Sequence, residues 1–200
     1  MKKRVDLPEK KYEGYIFDLD GTLVDSMPLH YRAWREALAR AGAPDHVFRA
    51  DEFYSCGGKS ANDVVRFLNE RYGMHMDAAS TAADKRRIYL EMLEKEGMQP
   101  IREVVEFVHS LGDAPKAIAT GSAMPGASRT LAAAGLSGLF DVILTPDEVE
   151  HGKPAPDMFL KAAELLGVSP DRCVVFEDAE PGMKAAAAAG MDCVRRPSLA

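Results

Sequence analysis

Tyr15-Ile16-Phe17-Asp18-Leu19-Asp20-Gly21-Thr22-Leu23-Val24-Asp25-Ser26 decides how this chain reads. Its apolar start predicts a strand entering a core, and Gly21 and Thr22 break that strand. Residues two apart in a strand face the same side. Asp18 and Asp20 are therefore expected in one crevice at the carboxyl end of a buried strand, where open α/β sheets bind ligands. Two carboxylates ~4 Å apart repel by ~4 kcal/mol at an effective dielectric of ~20. A cation, or a proton held by one of them, must offset that. The pair points to a divalent metal, or to a nucleophile beside an acid/base. The plain alternative is a turn or a helix cap. A calcium loop is the third option, and it needs further oxygen ligands at alternate positions and a closing Glu. Thr22, Val24 and Ser26 supply that set poorly.

Working outward, 200 residues lie between one and two domains, and 46% hydrophobic with 28% charged is ordinary for a globular chain. A net charge of −6 argues against nucleic acid as partner, and an anionic ligand would need local positive charge. Cys56, Cys173 and Cys193 form no tight motif. Cys173 and Cys193 fall in apolar, strand-like runs, so packed thiols in a reducing, cytoplasmic setting are expected. Met1-Lys2-Lys3-Arg4 is basic, but Asp6, Pro8 and Glu9 follow instead of an apolar stretch, so no secretory signal is expected. No run approaches a membrane span, and no membrane partner is expected.

Three helical patterns follow the opening strand. The first runs from about Leu29 to Arg40 with Tyr31, Trp34 and Leu38 at helical spacing. The second runs from Ala61 to Tyr72 before Gly73. The third is expected to start near an N-cap at Ser80 and to end at Gly97. From about Ile101 the texture alternates. Ile101, Val104, Val105, Val108 and Leu111 form a helical face, Lys116–Thr120 a strand, Thr130–Ala134 a helix and Phe140–Thr145 a strand. A helix then opens at Pro156, Cys173–Phe176 is a buried strand, Pro181 opens an Ala-rich helix, and Met191–Arg195 is a last strand. Such alternation implies α/β: a parallel sheet wrapped by helices, interrupted between about 28 and 97 by a helical insertion.

The strands of the second half end in polar residues. Thr120-Gly121-Ser122 reads as an anion cradle or as an ordinary N-cap. In His151-Gly152-Lys153-Pro154-Ala155-Pro156-Asp157, two prolines would hold Lys153, a compact charge suited to phosphate; a solvated surface Lys is the alternative. Glu177-Asp178-Ala179-Glu180-Pro181-Gly182 offers oxygen ligands for magnesium or a capped helix start. A parallel sheet would bring these ends to one edge. Asp18, Asp20, Thr120, Lys153, Glu177 and Asp178 then suit transfer of a phosphoryl group to a carboxylate.

These motifs, in this order and across nearly the whole chain, resemble the haloacid dehalogenase superfamily. An insertion just after the first motif is similar to the helical-cap branch that contains β-phosphoglucomutase and small sugar-phosphate phosphatases. Ala33-Trp34-Arg35-Glu36 and Val174-Val175-Phe176-Glu177-Asp178-Ala179 resemble stretches of bacterial fructose-1-phosphate phosphatases. The resemblance implies a Rossmann-like parallel sheet with an all-helical cap: core 1–27 and 98–200, cap 28–97. It implies a Mg²⁺-dependent phosphatase of a small phosphorylated metabolite; a cytoplasmic monomer is expected. Asp18 would be the nucleophile and Asp20 the acid/base, with Thr120 and Lys153 holding phosphoryl oxygens. Asp18, Asp178 and the Asp20 carbonyl would bind Mg²⁺, supported by Glu177. Gly121, Ser122, His30, Lys59 and Lys85 would meet substrate. In the run Lys85-Arg86-Arg87, a solvated helix face is the alternative, and Trp34 and Tyr31 are expected in the core.

Rival activities on the same scaffold are a hexose-phosphate mutase, a phosphoglycolate phosphatase, a dehalogenase, a phosphonatase using Lys59, and a non-catalytic binding protein. The mutase pattern departs at Thr22, at Lys59-Ser60 and at Met124. Asp20 is an acid that dehalogenation does not need.

Overall fold

The computed structural model describes residues 10–57 and 59–196; the basic start at Met1–Arg4, with Asp6, Pro8 and Glu9, lies outside them. In chain order the elements are β1 (Gly14–Phe17), α1 (Met27–Arg40), α2 (Ala50–Ser55), α3 (Ala61–Tyr72), α4 (Ala78–Glu96), α5 (Arg102–Ser110), β2 (Lys116–Ala119), α6 (Met124–Ala133), β3 (Val142–Leu144), α7 (Asp157–Leu166), β4 (Cys173–Glu177), α8 (Glu180–Ala188) and β5 (Asp192–Arg195). They fall into two compact units, one formed by the chain up to Asp25 and again from Met98, the other by Ser26–Gly97. The expected boundary at 27/28 lies two residues inside the second unit. None of the described helices is long and apolar enough to cross a membrane.

The first unit is an α/β fold built on a five-stranded sheet in the order β3-β2-β1-β4-β5. All its pairings are parallel, with Phe17 beside Ile118 on one side and beside Phe176 on the other. Side-chain alternation sends Ile16, Ala117, Ala119 and Val175 to one face, against Phe159 and Ala162 of α7 and Ala185 and Ala186 of α8. Phe17 goes to the other face, stacked on Phe176 at 4.5 Å between centroids, with Phe107 of α5 at 5.3 Å from Phe176. Both faces are thus covered, which explains why β4 reads as the unbroken apolar run Cys173-Val174-Val175-Phe176. Because the strands are parallel, their carboxyl ends line one edge.

The second unit is helical. Leu29, Ala33, Trp34, Ala37 and Leu38 form the buried stripe of α1. Trp34, Leu38, Phe48, Phe53, Val65 and Leu68 share one apolar cluster, so Trp34 is a core residue and Tyr31 packs beside it. Ser60 caps α3 by accepting the Asp63 N–H at 3.1 Å, and Gly73 ends the helix in the left-handed region at φ 63°.

Several expected boundaries need correcting. The cap of α4 is Asp77, not Ser80: the Asp77 carboxylate accepts the Ser80 N–H at 2.7 Å. Helix α2 gives no signal in the sequence because six residues are too short to show a period. Helices α1 and α6 begin at Met27 and Met124, earlier than Leu29 and Thr130, since Pro28 and Pro125 sit in their first turns. There the missing N–H costs nothing, so proline starts a helix that it would break further in. Ile101 and Leu111 flank α5 as caps and are not within it.

Candidate active site

Strand β1 delivers Asp18 to the sheet edge. Its N–H donates to the Phe176 carbonyl at 2.9 Å, continuing the ladder one residue beyond the strand. Its Oδ1 accepts from the Lys153 ammonium at 2.7 Å, and the same ammonium donates to Glu177 Oε2 at 2.7 Å. All three side chains are at least nine-tenths buried.

After Asp18 the chain forms one tight turn. The Leu23 and Val24 N–H groups both donate to the Leu19 carbonyl, at 3.0 and 3.1 Å. The strand ends at Phe17, so strand alternation does not relate Asp18 to Asp20 as expected; the turn does. Asp20 Oδ2 accepts the Ser122 hydroxyl at 2.6 Å. The Ser122 N–H in turn donates to Thr120 Oγ1 at 3.0 Å. Both polar groups of Ser122 are engaged with the protein, while Gly121 is exposed at the turn and Thr120 is wholly buried.

Strand β4 ends in the acidic pair. Glu177 Oε1 accepts the N–H groups of Asp178 and Ala179, at 3.2 and 3.1 Å, at the start of α8. With Oε2 on Lys153, both Glu177 oxygens are committed, which makes it a brace for the lysine. Asp178 Oδ1 accepts the Thr22 hydroxyl at 3.3 Å. Its carboxylate fills the space a β-carbon would take at Gly21, which also sits at φ +89°.

Oxygens of Asp18, Glu177 and Asp178 lie within 4.8 Å of one another. Three carboxylates face one ammonium in a buried site. Burial pushes the Asp18 carboxyl well above the carboxylate range; Glu177 adds to this and Lys153 opposes it. Asp178 is pushed up to about 7, by burial first and by Glu177 second. Burial alone would lower the Lys153 pKa, but Asp18 and Glu177 outweigh it and raise it above the ordinary lysine value. The surplus negative charge and the all-oxygen donor set fit a hard divalent cation such as Mg²⁺. Asp18 and Asp178 are the side chains suited to hold it.

In the helical unit, His30 Nδ1 lies 2.8 Å from the Lys85 ammonium. An ammonium only donates, so Nδ1 is the acceptor. The His30 ring stacks on Tyr89 at 4.0 Å, and Lys85 lies over the Trp34 and Tyr89 rings at 5.6 and 5.3 Å. Lys59 is placed over the Phe67 ring at 5.8 Å. Arg87 pairs with Asp84 and Glu91 on its own helix, and Arg86 is exposed, as a solvated face requires.

The structure adds three residues to which the sequence gives no role in the site. Thr22 is fully buried and holds Asp178. Gly182 has no room for a side chain because the Glu177 carboxylate occupies it. Arg196 donates its N–H to the Glu177 carbonyl at 2.8 Å and its Nη1 to the Thr22 carbonyl at 3.3 Å. Thr22 and Gly182 stand inside the motifs around Asp18 and Glu177; Arg196 carries no local signal.

Residues 12–190 match the model of the haloacid dehalogenase-like hydrolases. The chain belongs to that family. This hydrolase is 38% identical to fructose-1-phosphate phosphatase YqaB of Escherichia coli over 92% of this chain and 96% of that one. It is 35% identical to a β-phosphoglucomutase of Mycobacterium bovis, over 90% of this chain and 78% of the relative. Among solved structures it is similar to CbbY from Rhodobacter sphaeroides in complex with phosphate. That match has a TM-score of 0.81 at 27% identity, over 93% of this chain and 86% of the other.

Proposed function

We propose that this hydrolase is a Mg²⁺-dependent phosphatase of a small sugar phosphate resembling fructose 1-phosphate, working through an aspartyl-phosphate. The observation that carries the reading is the Lys153 ammonium held between Asp18 and Glu177 at 2.7 Å from each, beside Asp178. Similarity to curated sugar-phosphate phosphatases, YqaB and hexitol phosphatase A of Escherichia coli among them, supports the substrate class.

Lys153 fixes Oδ1 of Asp18 and so orients Oδ2 as the nucleophile toward phosphorus. The new O–P bond forms as the bond to the sugar oxygen breaks, and Asp20 gives that oxygen its proton. Asp20 then takes a proton from the water that attacks phosphorus, releasing inorganic phosphate and restoring Asp18. Ser122 aims the Asp20 carboxyl. Thr120, Lys153 and the backbone at Gly121 offset the charge on the phosphoryl oxygens. Asp18, Asp178 and the Asp20 carbonyl would hold Mg²⁺, which supplies further neutralisation of that charge. Glu177 braces the lysine. His30, Lys59 and Lys85 would contact the rest of the substrate, and Lys85→Met should raise KM more than it lowers kcat.

The test is phosphate release by the purified protein, with and without Mg²⁺, from fructose 1-phosphate, glucose 1-phosphate, glucose 6-phosphate, phosphoglycolate and glycerol phosphate. Release that requires Mg²⁺ and vanishes in Asp18→Asn is expected. Release indifferent to Asp18→Asn would remove the nucleophile assignment. The mutase reading is favoured by the similarity to β-phosphoglucomutases. Glucose 6-phosphate accumulating from β-glucose 1-phosphate, in place of free phosphate, would select it.

A further inference from the structure

The turn that carries Asp20 is held from the far end of the chain. Strand β5 pairs with β4 through Glu177 and Arg195, and Arg196 extends the pairing by donating its N–H to the Glu177 carbonyl. Its side chain is only 10% exposed. It runs to the turn after Asp20 and donates Nη1 to the Thr22 carbonyl at 3.3 Å, while Nη2 donates to Glu103 Oε1 at 3.0 Å. Thr22 faces the other way with its hydroxyl, which donates to Asp178. One residue thus takes a cation on its carbonyl and presents its hydroxyl to an acid of the site.

We propose that Arg196 is a positioning residue. Through the Thr22 carbonyl it clamps the turn 19–24, so that the Thr22 hydroxyl and the Gly21 backbone keep the Asp178 carboxylate aimed at the cation site. Glu103, on the first turn of α5, fixes the guanidinium. A planar guanidinium suits this task because it binds two acceptors from one rigid group. Lysine would keep the charge, but its three donors turn on a flexible stem and lack the fixed planar fork. The inference rests on the reading that Asp18 and Asp178 bind Mg²⁺, and it adds to that reading a residue that touches neither metal nor substrate.

Two readouts on the full-length protein test it. Amide exchange of metal-free protein reports the clamp alone: Arg196→Ala should speed exchange at Gly21 and Val24, and Arg196→Lys should recover part of the protection. Calorimetric titration with Mg²⁺ reports the consequence. Arg196→Ala should weaken binding by roughly tenfold, the scale of lost outer-shell support. Thr22→Val should weaken it similarly, and adding Arg196→Ala to Thr22→Val should change it by less than about twofold, because both act along one path. Unchanged exchange in Arg196→Ala overturns the clamp, whatever Mg²⁺ does. Effects that multiply in the double variant overturn the path through Thr22. Wild-type protein that takes up no Mg²⁺ would instead remove the metal reading, leaving the exchange result to judge the clamp.

Discussion

Gly182 cannot carry a side chain, because the Glu177 carboxylate occupies the place of its β-carbon. A helix position is given up so that an acid can reach a buried lysine. Gly126, in the first turn of α6, has nothing within 4 Å of the same point. One substitution should therefore act with opposite signs. Gly182→Ala should cost about 1–3 kcal/mol by overpacking and lower phosphatase activity by displacing Glu177 from Lys153. Gly126→Ala should add about 0.5 kcal/mol by restricting the unfolded chain and leave activity alone. Urea unfolding of both variants decides; destabilisation of equal size in the two would refute the steric account.

Lys153→Met leaves Asp18 and Glu177 buried without their cation, which should cost about 3–5 kcal/mol near neutral pH. The Asp18 carboxyl already stands above its ordinary value, and the lysine is what opposes the rise. A carboxyl raised in the folded state binds more protons folded than unfolded. Its destabilising effect is absent below the unfolded value and grows as pH rises toward the folded value. The deficit of Lys153→Met should accordingly shrink on going from pH 8 to pH 5. Chemical denaturation at the two pH values checks this, and a constant deficit would contradict it.

Asp178, pushed up to about 7 by burial and by Glu177, should make cation binding compete with a proton. Below that value Mg²⁺ affinity should fall by about tenfold or more per pH unit, because the Asp18 carboxyl is raised as well, with proton release on binding. Without Mg²⁺ the same raised carboxyl should make the fold less stable as pH rises toward about 7, and saturating Mg²⁺ should restore that loss. Calorimetry in buffers of different ionisation enthalpy reads the proton directly. A flat affinity from pH 5.5 to 8 would rule the competition out.

Ser122→Ala removes the hydroxyl that Asp20 accepts at 2.6 Å. A hydrogen bond to a charged group contributes about 1.5–3 kcal/mol, so kcat should drop by roughly tenfold or more while KM stays close to wild type. A rise in KM with kcat intact would mean that Ser122 serves the phosphate instead of Asp20.

Much of this molecule is legible in its amino-acid order. Short apolar runs such as Cys173–Phe176, alternating with helical stretches, can be buried only in a parallel sheet covered on both sides. The polar residues that interrupt those runs must then lie on one edge. Proline misleads in two places, Pro28 and Pro125, because the residue that breaks a helix inside it also starts one. Asp77 is hard to pick out as a cap because Ser80, three residues on, is an equally good capping type, and only backbone geometry chooses between them.

What the sequence by itself determined is therefore the architecture, while it only nominated the chemically able residues: Asp18, Asp20, Thr120, Lys153, Glu177 and Asp178. The architecture follows from local patterns, periods of two and 3.6, and the nomination from motifs a few residues long whose order resembles the family's. Only the tertiary structure decided who partners whom. Lys153 could have been a solvated surface charge; packing across 135 positions puts it on Asp18. Ser122 could have cradled an anion, but its hydroxyl is drawn to Asp20 across 102 positions. Arg196 has no motif at all, and it acquires a place at the site because β5 lies beside β4 and ends where the turn at Thr22 begins. Such partnerships are set by burial and charge between distant segments, and a local pattern carries no record of them.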